Sequence, residues 1–197
     1  YKQTKEPIYF QHIINYLENE TKIQKLQTLT GLGEPKININ GTPFDEPWGR
    51  PQNDGPALRG IICCSLIECF QYKYDTLIET LIVPMIQKDI EYTISNYDKP
   101  CFDLWEEHMG WHFYTRMVQL KFIKQVKKYR HYFDKHDTYY QYPYQQLMKS
   151  IKDHFNDESI ISSFDTEGNI VKYEDSANIL AFTHISYDQD ILQEVPL

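Results

Sequence analysis

The sequence predicts an all-α fold, and three observations carry that reading. Apolar residues recur at helical spacing through five separate segments. The stretches between those segments are rich in Gly, Pro, Asn and Asp, which interrupt helices. The order is helix, long loop, helix, turn, helix, acidic loop, helix, and antiparallel neighbours joined this way return the chain to its starting end, so both loops open on one side. With 197 residues, 41% of them hydrophobic and 16 of them tyrosine, the chain can bury one real core, which argues against disorder.

Residues 5–28 place Ile8, Phe10, Ile13, Ile14, Leu17, Ile23 and Leu26 mostly on one helical face, and Gly31 and Gly33 close the segment. Residues 31–54 form a long loop without apolar periodicity, a type that usually carries function. A helix follows from Pro56 to Tyr72, with proline in the first turn, where its missing amide costs nothing, and a centre apolar nearly all round. The next helix runs from Asp75 to Tyr92, with a capping box expected between Thr76 and Glu79 and a kink at Pro84. After a polar turn at 96–100 and the acidic loop come helices from His112 to Phe133 and from Tyr142 to Phe155. Farther on, 165–169 reads as a turn or short hairpin and 176–182 as a short helix.

Charge and composition narrow the function classes. The net charge is −8, and the one basic run, Lys121, Lys124, Lys127, Lys128 and Arg130, interleaves with apolar residues as the wet side of a helix would, so nucleic acid is not the expected partner. No apolar run is long enough to span a bilayer. Cys63, Cys64, Cys69 and Cys101 form no C-x-x-C pair, and only His108 and His112 among the histidines stand at i, i+4, without a third ligand at metal-site spacing. Neither metal nor other cofactor is expected, and Cys101 is the one candidate for a disulfide. The chain starts at Tyr1, without an initiator Met, and reads as an excerpt of a longer protein. Sequons at Asn19 and Asn40 fit a parent that is secreted or vacuolar.

The chemistry concentrates in Phe102-Asp103-Leu104-Trp105-Glu106-Glu107-His108-Met109-Gly110. Asp103, Glu106 and Glu107 crowd around Trp105 with no lysine among them. A ring that stacks on a sugar face beside a carboxyl that protonates a glycosidic oxygen is what carbohydrate cleavage needs. If the stretch is helical, all three acids share a face, and mutual repulsion with desolvation by the indole keeps one protonated. An acidic loop around a buried Trp is the bland alternative. In the long loop, Trp48 offers a second stacking face, and Arg50 can fork onto a carboxylate or vicinal hydroxyls or can simply pin a turn.

Three blocks then carry a resemblance: Gly31-Leu32-Gly33-Glu34-Pro35-Lys36; Trp48-Gly49-Arg50-Pro51-Gln52 with Asp54-Gly55-Pro56-Ala57-Leu58-Arg59; and Asp103-Leu104-Trp105-Glu106-Glu107. In order and separation they closely resemble fungal and yeast glucoamylases of glycoside hydrolase family 15, with Ser163-Phe164, Ala177-Asn178 and His184 as weaker matches. The resemblance implies an (α/α)6 toroid of helical hairpins, incomplete in this chain, and an enzyme releasing glucose from non-reducing ends of starch, glycogen or maltooligosaccharides with inversion. It implies Glu106 as general acid and Asp103 as a catalytic helper. Glu107 and the Leu104 carbonyl would hold substrate hydroxyls, and Trp48, Trp105 and Arg50 would line the pocket. Inversion needs a second carboxylate roughly 6.5–9.5 Å from the acid; Glu107 is too closely tethered to Glu106, and in the family the base lies nearer the C-terminus.

Residues 1–197 are thus expected to be one partial catalytic domain, lacking hairpins at both ends of the toroid, from a protein monomeric at full length. The family pattern is broken at His108-Met109-Gly110-Trp111, where bulky side chains replace small ones, and at Asn53, where a basic residue is frequent. A reading of another class is a truncated copy that binds glycans without hydrolysing them.

Overall fold

Helix α2 (Gly55–Phe70) buries Pro56, Ala57, Gly60, Cys63, Cys64, Ile67 and Phe70, while Ile62, Ser65 and Glu68, three residues apart, face outward. It lies beside α5 (Phe113–Lys128), which buries Phe113, Met117, Val118, Leu120, Phe122, Ile123 and Val126. The two backbones approach where a Cβ on Gly60 would come within 2.1 Å of the Phe122 ring. The computed structural model describes residues 6–185 and 188–194, and its frame is helical, as the sequence predicts. Helix α4 (Val83–Asn96) packs against α2, and both α6 (Asp137–Lys152) and α7 (Ser176–Ile185) pack against α5. Two helical hairpins and the start of a third therefore stand side by side, the pattern of a partial toroid.

Several boundaries move for identifiable reasons. The first helix, α1, spans Pro7–Ile23 and gives way to a turn before residue 28; Lys5 lies outside the described residues. The capping box is absent, since the Asp75 carboxylate accepts the Tyr72 amide at 2.9 Å and no side chain caps the helix. Instead of one bent helix there are a short turn α3 (Asp75–Leu77), a π-helical turn (Ile78–Ile82) and then α4. The wide turn sits just ahead of Pro84, whose ring cannot donate back to the preceding turn. Helix α6 begins at Asp137 rather than Tyr142 and carries Pro143 inside it. An acidic residue in the first turn suits the positive end of the helix dipole.

A buried ionic knot ties α1, α2 and α4 together. Arg59 grips both oxygens of Asp89, at 2.9 and 2.6 Å, and reaches Glu20 at 3.0 Å, while Gln24 donates to Asp89 at 2.9 Å. The basic run is not simply solvated: Lys121 and Lys124 both pair with Asp188, and Lys127 bonds Gln141. Cys63, Cys64, Cys69 and Cys101 are all free thiols, so Cys101 forms no disulfide.

The sequence predicts a turn or short hairpin at 165–169, and among the described residues that hairpin is part of a sheet of four short strands joining the loops. They are β1 (Cys101–Phe102), β2 (Met109–His112), β3 (Ser163–Asp165) and β4 (Ile170–Lys172), antiparallel in that order. The first two come from the connection between α4 and α5, the others from that between α6 and α7. Gly110 sits opposite Asp165, and any Cβ there would lie 1.9 Å from the Phe164 carbonyl oxygen. His112 locks three strands, bonding Ser163 Oγ and the Cys101 carbonyl at 2.8 Å each. Because β2 is extended, His108 and His112 do not share a helical face.

Candidate active site

The acidic stretch is a hairpin turn, as its place as a loop between helices predicts, so its three carboxylates do not share a helical face. Asp103 is buried and turns back on its own loop: one oxygen accepts the amides of Glu107 at 2.7 Å and His108 at 2.8 Å. Its backbone closes the same turn, accepting from Glu106 N at 3.0 Å and donating to the His108 carbonyl at 3.1 Å. Held this way, Glu106 adopts a left-handed backbone with φ 63°. Such a conformation costs a non-glycine residue about 1–2 kcal/mol, which the two amide bonds to Asp103 offset.

The turn sends its acids in different directions. Glu106 faces the long loop, where Trp48 Nε1 and Gln52 Nε2 both donate to its Oε1, at 2.8 Å each. Glu107 faces β4 and pairs with Lys172. Between them, Trp105 is 45% exposed and donates its indole N–H to Asp175 Oδ1 at 2.7 Å. Leu104 is partly buried against the core. Burial works against the Asp175 carboxylate, but the Ala177 amide, Trp105 and Lys172 outweigh it and hold its pKa below the usual range. Lys172 is pushed above the ordinary lysine value first by its bond to Glu107 and, against some burial, by Asp175.

The long loop delivers its two residues through internal bonds. Gln52 N donates to the Gly33 carbonyl at 2.8 Å, and Phe102 N donates to Pro51, joining the loop to β1. Arg50 presents no free fork to a substrate: it pairs with Glu34 at 2.9 Å and donates to the Glu46 and Phe44 carbonyls. These acceptors surround the guanidinium, so Arg50 braces the long loop. Trp48 is 41% exposed; Lys36 Nζ lies 3.5 Å from its ring centre on one side, and Phe44 meets it edge-on. Asn53 is a buried knot, accepting from Tyr92 Oη at 2.8 Å and from Gln119 through its carbonyl at 3.3 Å. Burial, reinforced by the nearby charge of Asp103, raises the pKa of Asp54 at the start of α2. Met109 and Trp111 are built into β2, opposite Phe102 and Phe164.

The structure therefore brings Trp48, Trp105, Glu106 and Glu107 to one end of the helices, with Asp103 beneath them. The sequence reading missed Gln52, Lys172 and Asp175. Gln52 lies inside a quoted block and could have been found there; Lys172 and Asp175 are about 65 to 70 residues from their partners, and no local pattern marks them.

Comparison with known proteins adds the following. Residues 2–190 match the family model for glycosyl hydrolases family 15. The glucoamylase of Blastobotrys adeninivorans is 38% identical over 130 residues, covering 60% of this chain and 21% of the relative. A probable glucoamylase of Schizosaccharomyces pombe is 37% identical, covering 58% and 26%. The chain thus spans about a fifth to a quarter of the length of these relatives. Among solved structures, the Hormoconis resinae glucoamylase superposes with a TM-score of 0.76 at 26% identity, covering 83% of this chain and 29% of that one. The family 15 glucoamylase of Hypocrea jecorina gives 0.72 at 26% identity, covering 77% and 27%.

Proposed function

This chain belongs to glycosyl hydrolases family 15, and from that premise we propose that the full-length protein is a glucoamylase-type exo-hydrolase. It would release glucose from the non-reducing ends of starch or glycogen, with residues 1–197 forming the middle of its catalytic domain. In this reading Glu106 is the general acid. The observation that carries it is the pair of donors, Trp48 Nε1 and Gln52 Nε2, on Glu106 Oε1. With Oε1 fixed as an acceptor, the proton of the acid form belongs on Oε2, the oxygen left to meet a glycosidic bridge. A positioned acid of this kind contributes about 10²–10⁴-fold to such a step.

Asp103 then acts as a helper by fixing the turn that carries Glu106, and Trp48 and Trp105 supply apolar faces for sugar rings. Water attacks from the opposite face, activated by a second carboxylate roughly 6.5–9.5 Å from the acid in an inverting enzyme. Glu107 is a poor choice for that base, being adjacent in the chain and paired with Lys172. We place the base outside residues 1–197 and the protein in the secretory pathway, as a monomer. The test is Glu106→Gln in the full-length protein, assayed on maltose. Turnover should fall by about 10²-fold or more while maltose binding persists; retention of more than about a tenth of the wild-type rate would end the assignment.

A further inference from the structure

We propose that Lys172 and Asp175 are positioning residues that set how the sugar leaving the scissile bond is held, a reading that rests on Glu106 as the acid. Four side chains form one connected chain across the front of the sheet. Trp105 Nε1 donates to Asp175 Oδ1, Lys172 Nζ bridges Asp175 Oδ2 at 3.1 Å, and the same ammonium pairs with Glu107 Oε2. Asp175 is itself anchored, since the Ala177 amide donates to its Oδ1 at 2.7 Å at the start of α7. Lys172 is carried by β4, and β4 is fixed through β3 to β2, directly after the acid turn.

Geometry and charge limit what this wall can do. Glu106 is bonded by Trp48 and Gln52 of the long loop, while its chain neighbours Trp105 and Glu107 are bonded to Asp175 and Lys172 on the hairpin side. The base of an inverting reaction stands across the ring that is attacked, and it needs a carboxylate free to take a proton from water. Both carboxylates of the hairpin wall are engaged by Lys172, and Asp175 also by an indole and an amide. This wall therefore offers no free base, and we set the leaving sugar against it. An exposed indole offers that sugar a stacking face, and Glu107, 52% exposed at its side chain, offers an acceptor whose direction Lys172 fixes.

The leaving sugar makes the proposal testable, because substrates with and without it can be compared. Cleavage of maltose releases a glucose whose hydroxyls can be held, whereas cleavage of α-glucosyl fluoride releases fluoride, which has none. In the full-length protein, Lys172→Met should lower kcat/KM on maltose by about tenfold more than on α-glucosyl fluoride. Lys172→Arg, which keeps the ion pairs, should restore most of the difference. Asp175→Asn, which can still start α7 but loses its charge, should show the same bias toward the fluoride at smaller size. Equal losses on both substrates, or a ratio unchanged in Lys172→Met, would overturn the proposal. A folded wild-type protein inactive on both substrates would overturn the underlying reading of the site and this inference with it. Activity on both together with an unchanged ratio would overturn this inference alone.

Discussion

Asp103→Ala tests how the acid is held in place. The Asp103 carboxylate accepts two backbone amides, at 2.7 and 2.8 Å, inside a buried turn. Hydrogen bonds to a charged group contribute roughly 1.5–3 kcal/mol each, and the left-handed backbone they maintain at Glu106 costs about 1–2 kcal/mol. The surplus is only a few kcal/mol, so removing the carboxylate reverses the balance. A net loss of about 3 kcal/mol, at about 1.4 kcal/mol per decade, predicts a roughly 100-fold fall in kcat/KM on maltose as the turn relaxes and Glu106 leaves Trp48 and Gln52. Asp103→Asn keeps an acceptor without the charge and should lose about half as much free energy, a fall of roughly tenfold. Both variants would be assayed in the full-length protein alongside thermal unfolding. If Asp103→Ala keeps wild-type turnover, the turn does not hold the acid. If Asp103→Asn is as inactive as Asp103→Ala with an unchanged unfolding midpoint, the charge itself acts in the reaction and the bracing argument fails.

Other perturbations have equally direct outcomes. Gly110→Ala would push a methyl against the Phe164 carbonyl, and thermal melts should show a loss of about 1–3 kcal/mol or more as β2 and β3 separate. Arg59→Met leaves Asp89, fully buried with a pKa already pushed up to about 6, without its cation; denaturant titration should show a loss of about 3–5 kcal/mol, partly recovered by adding Asp89→Leu. His154 is fully buried, bonded to the Ile161 carbonyl and Arg116, and burial with the Arg116 charge lowers its pKa to about 3. The unfolded chain therefore binds the extra proton first, so stability falls as pH drops from the ordinary value of 6.5 towards 3, at up to about 1.4 kcal/mol per pH unit. His154→Gln should flatten that part of the melting-temperature profile, and an unchanged slope would assign the acid sensitivity elsewhere.

The helical frame was legible because long apolar runs must be buried, as in α2, where Pro56 marks the start and the apolar centre buries Gly60, Cys63, Cys64 and Ile67. Boundaries were legible only where one residue decided them. The periodicity starts a helix at Tyr142, but Pro143 is tolerated inside α6, which opens at Asp137. The turn residues at 165–169 signal the hairpin of β3 and β4, but β1 and β2 carry no signal because two to four residues establish no period. The acidic stretch was read as a possible helix because spacing alone does not reveal that Asp103 captures the amides of Glu107 and His108. Asp is prone to that local bonding, and this was the signal to weigh. Contacts between distant segments, such as Trp105 with Asp175, depend on the packing of whole hairpins and leave no trace in a local pattern.

The sheet has a further consequence for how such a chain can change over time. Against β2, β3 pairs residue by residue, whereas against β4 the ladder already absorbs one extra residue at Val171 as a bulge. The linkers of two different helical pairs are thus stitched into one plate, and an insertion in β3 would either bulge in the same way or turn its later side chains to the opposite face. Variation should accumulate at the 166–169 bend, where Gly168 already adopts a positive φ of 87°, while the stitched positions keep a constant length.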